Sequence, residues 1–240
     1  MGFWLRFAVV VLKPLLLLLT RHDWQGREHV PRTGGLVLVT NHTSHVDPLT
    51  FAHFVYECGR LPRFLAKSEL FGVPFVGRVV RGAGQIAVYR NSPDASRAYR
   101  DALDAVRRGE CVIVYPEATI THDPLLWPMV GKTGAARIAL ETGVPVVPVA
   151  QWGPHLVLGP YEKVPHLLPR KLVHLRAGPP VDLSAFEGTA VTTEVLRSAT
   201  ERIMLSVTAE LETLRGETAP PVPYDVRREG DAAGDERSSA

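Results

Sequence analysis

A histidine and a carboxylate five residues apart, His42 and Asp47, are the side chains in this sequence best suited to acid–base chemistry. Histidine exchanges a proton near neutral pH, and a carboxylate beside it fixes the tautomer and stabilises the imidazolium. On one continuous helix these two side chains point apart, because i and i+4 are the facing pair. They therefore meet only if the chain turns between them, and Pro48 places Asp47 close to a helix start.

Other interpretations of this segment compete with an acid–base pair. Ser44 and Asp47 have the spacing of a capping box, in which case His42 only ends a strand. His45 and His53 are rival candidates for the base. A metal held by His42, His45 and Asp47 is the remaining alternative, but the chain has no H-E-x-x-H sequence and no Cys/His set. We therefore expect no metal site and no cofactor.

Several function classes are disfavoured by composition and by missing motifs. The chain lacks the G-x-S-x-G elbow of α/β-type serine hydrolases, and Gly82-Ala83-Gly84 precedes a strand and lacks the third glycine of a dinucleotide loop. A formal net charge of +2 over 240 residues gives no support for nucleic-acid binding. Cys58 and Cys111 form neither a disulfide framework nor a metal spacing, so we expect a buried Cys111 and a reducing, cytosolic-side location.

Alternating strands and helices are predicted to position these residues. Apolar runs predict strands at residues 35–40, 63–66, 85–89, 111–115, 144–150 and 172–177. Helices are predicted over residues 47–57, from Ser92-Pro93-Asp94 to 108, over 133–142 and from 192 to about 214. The alternation predicts an α/β domain with a mostly parallel sheet flanked by helices and with its working residues at strand ends. Pro145 and Pro148 predict that the fifth run is an edge or end strand.

The ends of the chain differ from this domain, which we expect to occupy residues 25–215. Residues 3–19 are almost wholly apolar, but basic residues and Pro14 interrupt a run already shorter than the roughly 20 residues of a spanning helix. We interpret residues 1–24 as a helix, or bent helix pair, at the membrane interface with Phe3, Trp4 and Phe7 as anchors. The alternative is a buried helix of the domain. No small-x-small cleavage site follows, so no cleaved signal peptide is expected. Residues 216–240 have the composition of a disordered tail.

Four ordered blocks resemble the glycerophospholipid acyltransferases typified by bacterial 1-acylglycerol-3-phosphate O-acyltransferase. They are Asn41-His42-x-Ser44-x-x-Asp47, the segment 84–90 ending at Arg90, Tyr115-Pro116-Glu117-Ala118-Thr119, and residues 144–149. The resemblance covers roughly residues 35–177. A single block is unspecific, but four in order at these spacings are a strong signal.

The resemblance implies a reaction and its participants. His42 is the general base and Asp47 its partner, and together they activate the hydroxyl of 1-acyl-sn-glycerol 3-phosphate against an acyl-CoA or acyl carrier protein thioester, giving phosphatidic acid. Arg90 is expected to bind the phosphate of the acceptor, and Glu117 to contact its hydroxyls or tie the loop together. The substrate-binding set is Asn41, Ser44, Arg90, Glu117, Ala118, Thr119 and Lys132. The lipid bilayer is an expected partner, with the protein peripheral or monotopic at the cytoplasmic face of the plasma membrane.

Two positions depart from the family pattern. The third block usually reads Pro-Glu-Gly-Thr-Arg, whereas this chain has Ala118 for the glycine and Ile120 for the arginine. Loss of the arginine removes a charge-assisted phosphate contact. Lys132, Arg137 or Arg81 is expected to substitute, unless the acceptor is another lysolipid or a glycolipid. A non-catalytic lipid-binding protein on this fold is a further alternative, against which the presence of both His42 and Asp47 argues.

Overall fold

A seven-stranded sheet with the order β1-β7-β6-β2-β5-β3-β4 forms the centre of the computed structural model, which describes residues 2–89 and 95–226. All its strand pairs are parallel except β6 with β7. The predicted α/β class and mostly parallel sheet are therefore confirmed. The strands are β1 Thr20–Gln25, β2 Leu36–Thr40, β3 Pro62–Lys67, β4 Ile86–Val88, β5 Cys111–Val114, β6 Val146–Trp152 and β7 Lys171–Ala177.

Helices cover both faces of the sheet. They are α1 Phe3–Leu19, α2 Asp47–Glu57, α3 Glu69–Gly72, α4 Val76–Gly82, α5 Ala95–Arg107, α6 Gly134–Thr142, α7 Pro154–Val157 and α8 Thr193–Arg215, with short 3-10 turns at Arg27–His29 and Ser184–Phe186. All five residues of β2 are buried, and its side chains alternate between two cores. Leu36 and Leu38 pack with α2, while Val37 and Val39 pack with α5, α6 and α8. A strand buried on both faces reads as the continuous apolar run seen in the sequence.

Strand β6 corrects the prediction drawn from its two prolines. It lies inside the sheet, between β7 and β2, and not at an edge. Pro145 precedes the first residue of the strand. Pro148 accepts a hydrogen bond from the Gly178 N–H where β7 has already ended, since the last paired residue of β7, Ala177, lies opposite Val149. Because Pro148 lies beyond the paired part of β7, its missing N–H removes no hydrogen bond between β6 and β7.

The N-terminal segment is part helix and part strand. Helix α1 ends at Leu19, and residues 20–25 form β1, so the last residues of the predicted interface segment belong to the sheet. Leu5 and Leu16 are buried, whereas Phe3, Val10 and Leu18 are among the most exposed apolar residues. Trp4 and Phe7 both contact the Phe75 ring. Within the described residues, no helix combines the length and the apolar character needed to cross a bilayer.

The opposite end of the chain turns back onto the domain. Helix α8 ends at Arg215, and the next residue, Gly216, has a φ of 65° that suits a glycine C-cap. In the segment predicted to be a tail, the Tyr224 carbonyl accepts a hydrogen bond of 2.9 Å from the Val130 N–H. Residues 227–240 lie outside the described residues, as does the predicted helix start at Ser92-Pro93-Asp94.

Candidate active site

The carboxyl ends of three neighbouring strands bring the candidate residues together. Strands β6, β2 and β5 are adjacent and parallel, with Thr40 opposite Val149 and Val39 opposite Val114. The segment after β2 carries His42, and the segment after β5 carries Glu117. Functional side chains in open α/β sheets gather at this edge, which we call the catalytic edge.

His42 and Asp47 are in hydrogen-bond contact, which their spacing in the sequence allowed but did not establish. His42 Nδ1 lies 2.9 Å from Asp47 Oδ2. Asp47 is fully buried, whereas the His42 side chain keeps 16% of its surface exposed. An ionised carboxylate only accepts hydrogen bonds, so the ring proton is on Nδ1, and Nδ1–H donates a hydrogen bond to Asp47. The Nε2 lone pair is left to accept a proton from a substrate hydroxyl.

The Asp47 carboxylate also builds the turn that brings it to His42. Its Oδ2 accepts hydrogen bonds from the Thr43 N–H at 2.6 Å and from the Ser44 N–H at 2.8 Å. The Ser44 hydroxyl accepts from the Val46 N–H at 3.1 Å and donates to the Leu158 carbonyl at 2.6 Å. The bond from the Ser44 N–H matches the carboxylate half of a capping box, but the Ser44 hydroxyl accepts from Val46 and not from Asp47. Helix α2 begins at Asp47 without a side-chain cap, so the geometry agrees with the acid–base interpretation and forms only half of a capping box.

Glu117 fixes the backbone around His42. Its two carboxyl oxygens accept hydrogen bonds from the His42 N–H at 2.9 Å and from the Met129 N–H at 3.1 Å. The Thr121 N–H donates in turn to the His42 carbonyl at 2.8 Å. Burial raises the pKa of Glu117 to about 8, and those backbone bonds only partly oppose the rise. The side chain is 5% exposed, so in this geometry it ties the loop rather than facing a groove.

Asn41 joins two strands of the catalytic edge. Its side-chain amide donates to the Gln151 carbonyl at 3.0 Å and accepts from the Gln151 N–H at 2.9 Å. The Gln151 side chain donates to the Asn41 carbonyl at 2.7 Å. The predicted substrate contact of Asn41 stays a prediction, and these bonds give the residue a positioning role beside His42. Gln151 was missed because its partner lies 110 residues away.

Aromatic rings form one wall of the site. The His42 ring lies over the Tyr115 ring, with centroids 4.4 Å apart, and Tyr115 stacks on Phe64 at 6.3 Å. Burial raises the pKa of Tyr115 well above its ordinary value, and the Asp47 charge adds to the rise. Tyr115 is therefore neutral at physiological pH and presents a flat surface to the imidazole. Its place at the start of the third block was the signal that sequence analysis did not use.

The third block explains one departure from the family pattern. Ala118 has φ of 59°, in the left-handed region that glycine occupies without strain. Glycine suits this position because the backbone is left-handed here. Alanine adopts the same conformation, and the strain lowers the stability of the fold by about 1 kcal/mol. Thr119 next to it is half-buried.

The predicted phosphate ligands do not all converge. Ile120 is 6% exposed, so it packs inward and offers nothing to an anion. Lys132 is exposed. Its backbone N–H donates a hydrogen bond of 2.9 Å to the Pro116 carbonyl, which keeps the residue beside the third block. Arg137 lies over the Tyr99 ring and Arg81 donates to the Phe71 carbonyl, so both are engaged elsewhere. Arg90 lies outside the described residues, and its phosphate-binding role stays a prediction.

The rival histidines occupy other environments. His53 packs against Trp24 at 4.6 Å and His22 at 5.0 Å, beneath α1 and away from the catalytic edge. Burial lowers the pKa of His53 to about 4. A base with so low a pKa accepts a proton poorly near neutral pH. His45 is exposed beside the turn.

A half-buried arginine, which sequence analysis missed, holds the loop that follows the third block. The Arg215 guanidinium lies 3.9 Å from the Trp127 ring centroid and 4.3 Å from that of Trp152. It also donates to the Leu125 carbonyl at 2.8 Å. Through Trp127, the end of α8 thus supports the residues that supply the Met129 N–H to Glu117.

Known proteins resemble this chain in both sequence and fold. The chain is 32% identical over 133 residues to a chloroplastic 1-acyl-sn-glycerol-3-phosphate acyltransferase of Brassica napus, an alignment that spans 55% of this chain and 37% of that protein. It is also 32% identical over 116 residues to the lyso-ornithine lipid O-acyltransferase of Pseudomonas aeruginosa, spanning 48% of this chain and 42% of that one. The chain therefore spans less than half the length of these curated relatives.

A solved structure resembles most of the chain. It is the 1-acyl-sn-glycerophosphate acyltransferase PlsC of Thermotoga maritima, with a TM-score of 0.67 and 26% identity, covering 90% of this chain and 81% of that one. The Acyltransferase family model matches residues 21–152, a range that runs from β1 to the end of β6 and includes His42, Asp47 and Glu117. With a family match over more than half of its length, this chain belongs to the Acyltransferase family.

Proposed function

We propose that this protein transfers a fatty acyl group from the thioester of acyl-CoA or acyl carrier protein to the hydroxyl of 1-acyl-sn-glycerol 3-phosphate. The product is phosphatidic acid, an intermediate of phospholipid biosynthesis. The contact between His42 Nδ1 and Asp47 Oδ2 carries this proposal, because it leaves the exposed side of the imidazole free to accept a proton.

The reaction needs only one proton relay. His42 Nε2 takes the proton of the acceptor hydroxyl as its oxygen attacks the thioester carbonyl. Asp47 stabilises the imidazolium that forms. The C–S bond then breaks, and the leaving thiolate of CoA or of the carrier protein takes the proton from His42 Nε2, which restores the neutral base. No acyl-enzyme is required, because the thioester is already activated. Fixing the acceptor beside His42 contributes further by making the attack effectively unimolecular.

An apolar cavity supports a lipid substrate. A shallow apolar cleft lies between α1 and α2 and is lined mainly by apolar side chains such as Leu5, Leu12 and Leu49. Leu49 lies in the first turn of α2, the helix that begins at Asp47. We assign it to an acyl chain of one of the substrates.

A peripheral or monotopic position at the cytoplasmic face of the plasma membrane belongs to the same proposal. The apolar residues that α1 exposes, among them Phe3, Val10 and Leu18, suit a helix lying in the bilayer interface. Cys58 and Cys111 are both free and buried, as expected in a reducing compartment. Acceptor and product are both lipids, so this position keeps them within reach.

A different lysolipid acceptor is the second candidate. It is favoured by Ile120, which is buried where the family has a phosphate-binding arginine, and it agrees with the similarity to a lyso-ornithine lipid O-acyltransferase. Ornithine lipids lack a phosphate monoester, so an acceptor of that kind would not need the missing guanidinium.

A mixed pool of acceptors distinguishes the two. Purified protein is given acyl-CoA or acyl carrier protein thioesters of matched chain length, together with lysophosphatidate, other lysophospholipids, lyso-ornithine lipid and a lysoglycolipid. Products are identified by mass spectrometry, with His42→Ala as the matched control. Phosphatidic acid as the main product supports the first candidate, and acylation of another acceptor supports the second. Binding of these lipids without any acyl transfer would overturn both.

A further inference from the structure

The segment between α7 and β7 exposes an unusual run of apolar residues. All ten residues from 161 to 170 are exposed. Tyr161, Val164 and Leu168 keep 73%, 71% and 81% of their surface exposed, and Leu167 lies between them in the same segment. We call residues 159–170 the edge loop. Apolar patches of this kind on a soluble surface mark interaction sites.

The charges of the edge loop are mainly positive. Lys163 and Arg170 lie in the loop, and Lys171 follows it. Its one acidic residue, Glu162, accepts a hydrogen bond from the Gly159 N–H and lies 3.1 Å from His166 Nε2. The surface therefore combines apolar side chains with an excess of positive charge, which matches the interface of a bilayer containing anionic lipids.

Strand register places the edge loop at the catalytic edge. Trp152, the last residue of β6, lies opposite His174 of the antiparallel β7, so the loop spans the end where β6 finishes. The Ser44 hydroxyl donates to the Leu158 carbonyl at 2.6 Å, which joins the turn after His42 to the start of the loop.

The same loop is continuous with the carboxyl end of α1. Thr20 lies opposite Lys171 in the β1–β7 pair. Arg170 donates to the Leu17 carbonyl at 2.6 Å and to the Thr20 carbonyl at 2.8 Å. Leu17 and Leu18 of α1 are themselves exposed. The apolar surfaces of helix and loop therefore form one border beside the site.

We propose that the edge loop is a second membrane contact, which inserts Tyr161, Val164 and Leu168 into the surface of an anionic bilayer while Lys163 lies at its headgroups. This inference rests on the proposed function and goes beyond α1. It gives the site an orientation, because docking through the loop places the catalytic edge against the lipid surface from which a lysolipid acceptor leaves.

Vesicle binding tests the contact. The full-length protein is sedimented with phosphatidylcholine vesicles that contain or lack phosphatidylglycerol, in low and high salt. We expect the double variant Val164→Ser/Leu168→Ser to bind the anionic vesicles about tenfold more weakly than the parent protein. Leu205→Ser is the matched control, because Leu205 is also exposed but lies on α8. An unchanged affinity, or a loss no larger than that of the control, would overturn the proposal.

A second measurement separates this inference from the proposed chemistry. Acyl transfer is compared for an acceptor embedded in vesicles and for a short-chain acceptor dispersed as monomers. The double variant should lose rate on vesicles and keep its rate on monomers. Absence of acyl transfer in the parent protein would count against the proposed function alone, since vesicle binding still decides the role of the loop. If the variant instead loses binding to acyl carrier protein and keeps its vesicle affinity, the loop contacts a protein and the bilayer proposal is wrong.

Discussion

His42 Nδ1 lies 2.9 Å from Asp47 Oδ2 because Asp47 itself holds the turn between them. The same oxygen accepts hydrogen bonds from the backbone N–H groups of Thr43 and Ser44. A fully buried carboxylate needs such donors to offset the loss of water. Formation of the turn and orientation of the base are therefore a single structural event, and a change at Asp47 affects both.

Substitutions at this pair should separate catalysis from folding. His42→Ala removes the base, and we expect kcat to fall by roughly 10²–10⁴-fold with the circular dichroism spectrum unchanged. Asp47→Asn should lower both kcat and the free energy of unfolding, since an amide cannot replace a carboxylate that accepts three hydrogen bonds. Initial rates of acyl transfer and urea unfolding measure the two effects. Full activity of the His42→Ala protein would end the general-base assignment.

Glu117 should make the fold less stable as the pH rises. Burial raises its pKa from an ordinary value of 4.5 to about 8, so between these values the folded protein binds a proton that the unfolded chain has released. The stabilisation is complete below the lower value and is lost as the pH rises through the upper one. The slope from this residue approaches about −1.4 kcal/mol per pH unit.

Urea unfolding between pH 6.5 and 8 isolates this effect. His53 acts in the opposite direction below that range, because its pKa is lowered from 6.5 to about 4 and stability falls as the pH drops through that interval. Glu117→Gln should flatten the slope above pH 6.5, and His53→Gln should not. Equal slopes for the parent and the Glu117→Gln protein would show that the carboxyl group is already ionised.

Ala118→Gly should preserve or raise stability. The φ of 59° strains an L-residue, and we expect a gain of about 0.5–1 kcal/mol after the greater freedom of glycine in the unfolded chain is taken into account. Ala209→Gly is the matched control: Ala209 is an exposed residue inside α8, where the same change should cost about 1 kcal/mol. Thermal unfolding of both proteins gives the comparison. Similar losses at the two sites would contradict a strained backbone at Ala118.

Arg215→Met should loosen the loop beside the site. The side chain is 8% exposed between two tryptophan rings, so its removal should cost about 2 kcal/mol in the free energy of unfolding. Because Trp127 and Met129 belong to the same loop, kcat should fall as well. Arg202→Met on the exposed face of α8, whose guanidinium lies 5.7 Å from the Phe186 ring centroid, should cost less than about 0.5 kcal/mol. Equal effects would show that the tryptophan pair adds no stability.

The sequence predicts elements well where burial follows a regular pattern. Strand β2 and helix α2 agree closely with the predicted ranges, because one has a continuous apolar run and the other has Asp47 and Pro48 at its start. Strand β1 was missed because Thr20–Gln25 is polar. Its stability comes from pairing with β7 and from contacts such as Asp23 Oδ2 with His174 Nδ1 at 2.8 Å, which no local pattern reveals.

The candidate site divides in the same way. The local spacing of residues predicted His42 and Asp47, and the ordered blocks predicted Glu117 and Ala118. Tyr115, Gln151 and Arg215 complete the surroundings through residues far apart in the chain, so their roles depend on tertiary contacts. The α1 exposure and the position of Ile120 likewise required burial to be known.

Strand β1 has a practical consequence for attempts to produce a shortened protein. It covers the outer side of β7 through a continuous parallel pairing from Thr20 to Gln25. A truncation designed to remove the N-terminal segment as far as residue 24 would take most of this strand with the helix. The N–H and C=O groups of β7 that face β1 would then have no partners. Uncovered strands of this kind pair with other chains. Such a protein should precipitate, whereas one that begins at residue 20 should keep β1 paired with β7.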